Sequence, residues 1–157
     1  AIACFERTLL SGNSIYDQAE QGKVKLTSSE LRGKQLFFSD SLNCSQCHGG
    51  FNFTHFAFEN NGLYKNYNDK GRQNVTVRPQ DEGKFKVASL RNIALTAPYM
   101  HDGSLENLEQ VIEHYAIGGK KHKNQSNLIQ GFSLSEQEKQ DLINFLKTLT
   151  DITFTNN

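Results

Sequence analysis

Apolar residues recur at helical spacing in three stretches of the chain. Leu105, Leu108, Val111, Ile112 and Tyr115 share one face of a helix that Gly118-Gly119 ends. Ser104 is placed to cap it, with Glu106 in its first turn. Ser133-Leu134-Ser135-Glu136 reads as a capping box that opens a final amphipathic helix carrying Leu142, Ile143, Phe145, Leu146 and Leu149. Thr27-Ser28-Ser29-Glu30 is another such box, and its helix runs through Leu31 and Leu36 to Phe37 and Phe38. Ile2 to Leu10 reads as a helix end, closed by Ser11-Gly12-Asn13-Ser14, with Cys4 as a small buried residue in it. Ile15 to Val24 is polar and predicted irregular. Residues 49 to 85 are rich in Gly, Asn and Asp, with short alternating pieces such as Asn74-Val75-Thr76-Val77, and predict loop with a small hairpin. Pro98 stops any helix before it, and the basic stretch 119 to 130 predicts a solvated loop with His122 exposed. The pattern predicts a mainly α domain with long irregular loops.

The segment after the Thr27 helix carries the chemistry. Cys44-Ser45-Gln46-Cys47-His48 is a C-x-x-C-H sequence, the attachment signature of a c-type haem. Two thiols three positions apart on one turn reach the two vinyl groups of a haem and form thioethers. The adjacent His48 then lies under the iron, where imidazole is a good axial ligand. Gly49-Gly50 lets the backbone pass the porphyrin edge without a Cβ. Two other readings compete. Zinc on Cys44, Cys47, His48 and Cys4 lacks a second paired-ligand motif. A redox dithiol needs a strand–helix context, whereas here a helix precedes the motif and a loop follows it.

Composition fits one covalent haem c. The chain has 157 residues, suited to one domain, with 17 basic and 17 acidic residues and no net charge. No nucleic-acid or membrane partner is expected from that balance or from the short apolar runs. Only 36% of residues are apolar, with eleven Phe and no Trp, so a large flat apolar cofactor would supply much of the core. Phe37, Phe38, Phe51, Phe53, Phe56 and Phe58 are candidate haem neighbours, with ordinary core the simpler role for each. Covalent haem c is assembled on the oxidising side of bacterial membranes, so a periplasmic protein is expected. No signal peptide is visible, so the chain is expected to be processed or part of something longer.

A six-coordinate haem needs a second axial ligand, and its type tunes the potential. The candidates are Met100, His101, His114, Tyr115, His55 and His122. Tyr115 continues the apolar stripe, while His114 falls with Asn107 and Gln110 on the polar side. His101 precedes the turn Asp102-Gly103 and could instead bind a propionate. Patterning alone leaves Met100 slightly ahead of Tyr115.

At this point the chain resembles the bacterial dihaem cytochrome c peroxidase and MauG-like family. The resemblance is carried by Ala1-Ile2-Ala3-Cys4-Phe5-Glu6-Arg7-Thr8-Leu9, by Phe85-Lys86-Val87-Ala88-Ser89-Leu90-Arg91-Asn92, by Leu95 through Ser104 and by Asn144-Phe145-Leu146-Lys147-Thr148-Leu149. It maps to the family's C-terminal haem domain, with 1–24 as interdomain helix and linker and 25–157 as a cytochrome c-like haem domain. The family's distal ligand lies fourteen positions after the His of its Tyr-aromatic-His-x-Gly loop, which from His101 is Tyr115. Typical peroxidases have methionine there and the MauG-like branch has tyrosine, so the resemblance moves Tyr115 ahead of Met100. In that branch the His/Tyr haem helps to stabilise a high-valent iron pair that oxidises other proteins. The resemblance also implies propionate or interdomain roles for Arg91 and His101, and a calcium ion held partly by the backbone carbonyls of Thr96 and Pro98. It further implies two partners, the N-terminal haem domain and a redox protein. The expected function is electron transfer between haems during peroxide-dependent oxidation, with the chain alone a poor peroxidase. The rival is a one-haem electron carrier with His48 and Met100 as ligands.

Overall fold

A computed structural model describes residues 2–6, 8 and 10–155. Helices run over Ile2–Glu6 (α1), Ile15–Glu20 (α2), Ser28–Phe37 (α3), Cys44–Cys47 (α4), Gln73–Thr76 (α5), Leu108–Ala116 (α6), Glu136–Lys147 (α7) and Ile152–Thr155 (α8). Phe58–Glu59 (β1) and Phe85–Lys86 (β2) form a short antiparallel ladder, pairing Phe58 with Lys86 and Glu59 with Phe85. The remainder is loop and short 3-10 turns.

Two helices frame the domain, and their starts are chemically specified. Thr27 Oγ1 accepts from the Glu30 amide at 3.3 Å, and the Glu30 carboxylate accepts from the Thr27 amide at 2.7 Å. Ser135 and Glu138 make the same reciprocal pair at the start of α7. Both arrangements satisfy amides that a helix leaves free at its first turn. α3 crosses α7 at Gly33, where an added Cβ would meet the Asp141 backbone carbonyl carbon at 2.6 Å and Phe145 Cβ at 2.8 Å. Beneath the crossing Phe37, Phe53 and Phe145 are almost fully buried, with ring centroids 5.2 to 6.5 Å apart. Tyr16 of α2 packs edge-on against Phe53 and Phe145.

A buried carboxylate ties the same crossing. Asp141 accepts from Ser29 Oγ at 2.6 Å, Arg32 Nε at 2.6 Å and Gln137 Nε2 at 2.9 Å. The Arg32 and Ser29 hydrogen bonds hold its carboxyl well below the usual carboxylate range. A lowered folded value means that the stabilisation is complete above the unfolded carboxyl's pKa of about 3.9 and is lost as pH falls toward the folded value. Asp141→Asn should therefore lower the melting temperature at neutral pH. It should also flatten the fall in melting temperature below about pH 4. An acid limb as steep as that of the parent protein, measured by circular dichroism, would show that other groups control it.

The structure revises several expectations. Ile15–Glu20 is helical, because Ser14 and Asp17 form a capping box. α6 starts at Asn107, whose side chain accepts from the Gln110 amide at 2.9 Å. Ser104 cannot cap it: its amide donates to Asp102 Oδ1, and Leu105 is drawn into an extended bridge with Tyr99. α7 is capped by Ser135, two residues after Ser133. The alternating piece Asn74-Val75-Thr76-Val77 falls mostly in helical turn α5, and the small ladder pairs Phe58–Glu59 with Phe85–Lys86. Cys4 is exposed, and residues 7 and 9 of its predicted helix lie outside the described residues. His114 and His122 are both buried, since the 60–62 loop lies over them. That loop is held by hydrogen bonds from the Lys120 amide to Gly62 O at 2.7 Å and from the Ser126 amide to Asn60 O at 2.9 Å.

Candidate cofactor site

The end of α3, α4, α6 and α7 enclose a cavity of about 350 Å³. Its walls are mainly apolar, with Phe37, Leu42, Leu108, Ile112, Leu142 and Leu146 prominent. Cys44, Cys47 and His48 line one side, and Tyr115, Met100 and His101 also reach it.

Local geometry fixes the first group. Asn43 takes a left-handed conformation (φ 58°) that turns the chain into α4, and the His48 amide closes that turn on Cys44 O at 2.9 Å. Gly49 is required for space, since a Cβ there would meet Ser45 O at 2.8 Å. Gly50 is required for conformation, with φ +72°. Both thiols are free, and burial pushes them up to about 12 for Cys44 and about 11 for Cys47. Among the described residues no group of three or more His, Cys, Asp or Glu could hold a metal ion, and Cys4 lies exposed.

His48 donates from Nδ1 to Phe53 O at 3.1 Å, which orients the ring and leaves Nε2 as the lone-pair nitrogen. Burial lowers its pKa and keeps it neutral, the form that ligates iron. Tyr115 stands on the cavity face of α6, and burial pushes its phenol up to about 12. Met100 has φ 76° and its sulfur accepts from Asn61 Nδ2 at 3.1 Å. The His101 ring stacks on Phe85 with centroids 3.8 Å apart.

Other expected site residues lie elsewhere. Arg91 is outside the cavity wall: its Nη1 lies 2.6 Å from Asp17 Oδ2, its Nε donates to Phe51 O, and its guanidinium covers the Phe51 ring. That buried pair ties α2 to the domain. The shared cause is Asp17: burial alone would raise its carboxyl, but the Arg91 and Ser14 hydrogen bonds hold it below its ordinary value. His55 is exposed, with Nδ1 accepting from the Ala57 amide. His114 and His122 do not line the cavity; they bond Asn61 O and the Asn60 and Asn124 nitrogens, respectively. Thr96 and Pro98 are exposed, and their carbonyls accept no hydrogen bond among the described residues. Sequence reasoning missed Glu59, Asn61 and Lys86, which all line the cavity. Nothing in their loop-like surroundings distinguishes them from solvated positions.

The donor set fits a haem c. A large apolar slot receives a flat apolar ring, two thiols sit on one turn at its edge, and a neutral oriented imidazole follows them.

No family model matches the chain. The chain is 36% identical to the methylamine utilization protein MauG of Methylorubrum extorquens, over 95% of this chain and 42% of that protein. It is 37% identical to the cytochrome c551 peroxidase of Nitrosomonas europaea, over 96% of this chain and 43% of the relative. Among solved structures, a MauG-like protein associated with microbial copper homeostasis superposes with a TM-score of 0.87 at 40% identity, covering 91% of this chain and 49% of that one. The chain thus spans a little under half the length of these relatives. Sequence, fold and the C-x-x-C-H cavity agree: the chain is similar to the C-terminal haem domain of bacterial dihaem cytochrome c peroxidases and MauG-like proteins.

Proposed function

We propose that this domain carries one covalent haem c and relays electrons between haems during peroxide-dependent oxidation. The observation that carries the reading is the apolar cavity with Cys44, Cys47 and His48 on one side and Tyr115 within reach. When bound, the haem supplies a one-electron couple. Cys44 and Cys47 would anchor it, and His48 and Tyr115 would be its iron donors. The apolar walls exclude water and so limit solvent reorganisation around a changing charge. Phenolate is a hard anionic donor that favours ferric iron, whereas thioether favours ferrous. The finer fold reading is a mainly α, cytochrome c-like domain over 25–157, with 1–24 as the interdomain segment.

The remaining assignments belong to the assembled protein. The N-terminal haem domain, carrying the peroxide-reacting haem, is the partner within it, and a separate redox protein exchanges electrons with it. A calcium ion between the domains would be held partly by the Thr96 and Pro98 carbonyls, with its other protein ligand from the N-terminal domain. The location is periplasmic, and among the described residues no helix is long and apolar enough to cross a membrane. His101, stacked at the cavity edge, is the propionate candidate.

Ligation is tested by ferric absorption spectra. Tyr115→Phe should change the spectrum and open the iron to small ligands such as cyanide, while Met100→Leu should change neither by much. A methionine–iron charge-transfer band in the parent protein, lost in Met100→Leu and kept in Tyr115→Phe, would reverse the assignment. It would favour a one-haem electron carrier.

A further inference from the structure

We propose that Asn61 is a positioning residue that favours Tyr115 over Met100, by restraining the Met100 side chain with its amide. The inference rests on the haem reading above. Asn61 lines the cavity with both candidates. Its Nδ2 donates to Met100 Sδ at 3.1 Å. A thioether sulfur that accepts an N–H bond has one of its two lone pairs engaged, and the side chain that carries it is tethered to the 60–62 loop.

Asn61 can do this because it is itself held. Its Oδ1 accepts from the Leu63 amide at 3.2 Å, and its backbone carbonyl accepts from His114 Nε2 at 3.0 Å. The preceding Asn60 is fully buried, with Oδ1 accepting from the Gly62 amide at 2.8 Å and from Tyr67 OH at 3.1 Å. The amide therefore presents its donor from a fixed point. His114 lies next to Tyr115 on α6, so the helix that offers the phenol also pins the residue that restrains its rival. Met100 occupies the left-handed region, unfavourable for a residue with a Cβ, so its loop is held in place by surrounding contacts. Removing the amide donor frees the sulfur without changing either ligand.

The test compares haem-loaded protein carrying Asn61→Leu or Asn61→Asp, each with and without Met100→Leu. Ferric spectra and reduction potentials are read, with circular dichroism as the check on folding. The leucine removes both polar atoms; the aspartate keeps the shape and the acceptor but lacks the N–H. Either Asn61 variant should gain a methionine–iron charge-transfer band that is absent from the parent, with a raised potential. Adding Met100→Leu should abolish the band. A folded Asn61 variant with the parent's spectrum and potential would overturn the inference. So would a new spectrum that is insensitive to Met100→Leu, because Asn61 would then act on Tyr115 alone. A methionine band already present in the parent protein would instead remove the Tyr115 reading itself, before any Asn61 variant is compared.

Discussion

Replacing Cys44 and Cys47 together by serine is expected to abolish most of the cooperative unfolding transition. Without thioethers the haem is not retained, and the fold is left with a cavity of about 350 Å³ walled by core side chains. Phe37, Leu42, Leu108, Ile112, Leu142 and Leu146 belong at once to the buried core and to the cavity wall. At about 24 cal/mol per Å³ of cavity, an open void of this size costs on the order of 8 kcal/mol. The whole stability of a domain is roughly 5–15 kcal/mol, so the loss is comparable to the total. Urea or thermal unfolding followed by circular dichroism reads this directly. A haem-free variant with the parent's midpoint and slope would show that the core closes without the cofactor.

The second large effect is expected at the α3–α7 crossing. Gly33→Ala places a Cβ against the Asp141 backbone carbonyl and Phe145 Cβ. A side chain could rotate away, but a helix backbone cannot, so the helices must separate. That opens the Phe37–Phe145 contact and stretches the Asp141 hydrogen bonds. The expected cost is about 3 kcal/mol, the upper end for overpacking. For a chain of this size that lowers the melting temperature by roughly 6–12 °C. Gly22→Ala is the control: its Cβ meets nothing within 4 Å, and only its left-handed φ of +72° opposes the change. It should cost about 1–2 kcal/mol. Equal losses at the two positions would refute close helix approach as the cause.

What could be read in the sequence was what is locally encoded. The Thr27 box, the apolar stripe of α6 and the C-x-x-C-H turn depend on residues within a few positions of each other. The α7 cap slipped by two because Ser133-x-x-Glu136 and Ser135-x-x-Glu138 are overlapping boxes. The core decided between them, packing Leu134 before the helix begins. α2 was missed because its box uses Asp17, a residue that also pairs with Arg91 across 74 positions.

Other errors share a long-range cause. His114 looked solvated beside Asn107 and Gln110, yet the 60–62 loop covers it through contacts that no local pattern encodes. The same loop buries His122 and brings Asn61 to the cavity. The ion pair of Arg91 with Asp17 was hidden because Asp17 lies in a segment predicted irregular. The place of Tyr115 on the apolar stripe was legible because α6 turns that face toward the cavity, whereas the contact between Asn61 and Met100 is created by folding alone.

The central claim is one haem held covalently by Cys44 and Cys47, and the intact mass of purified protein after acid–acetone extraction tests it most directly. The account predicts that the colour stays with the polypeptide and that the mass equals the chain plus one haem. The bare polypeptide mass, with the colour extracted into the solvent, would contradict it.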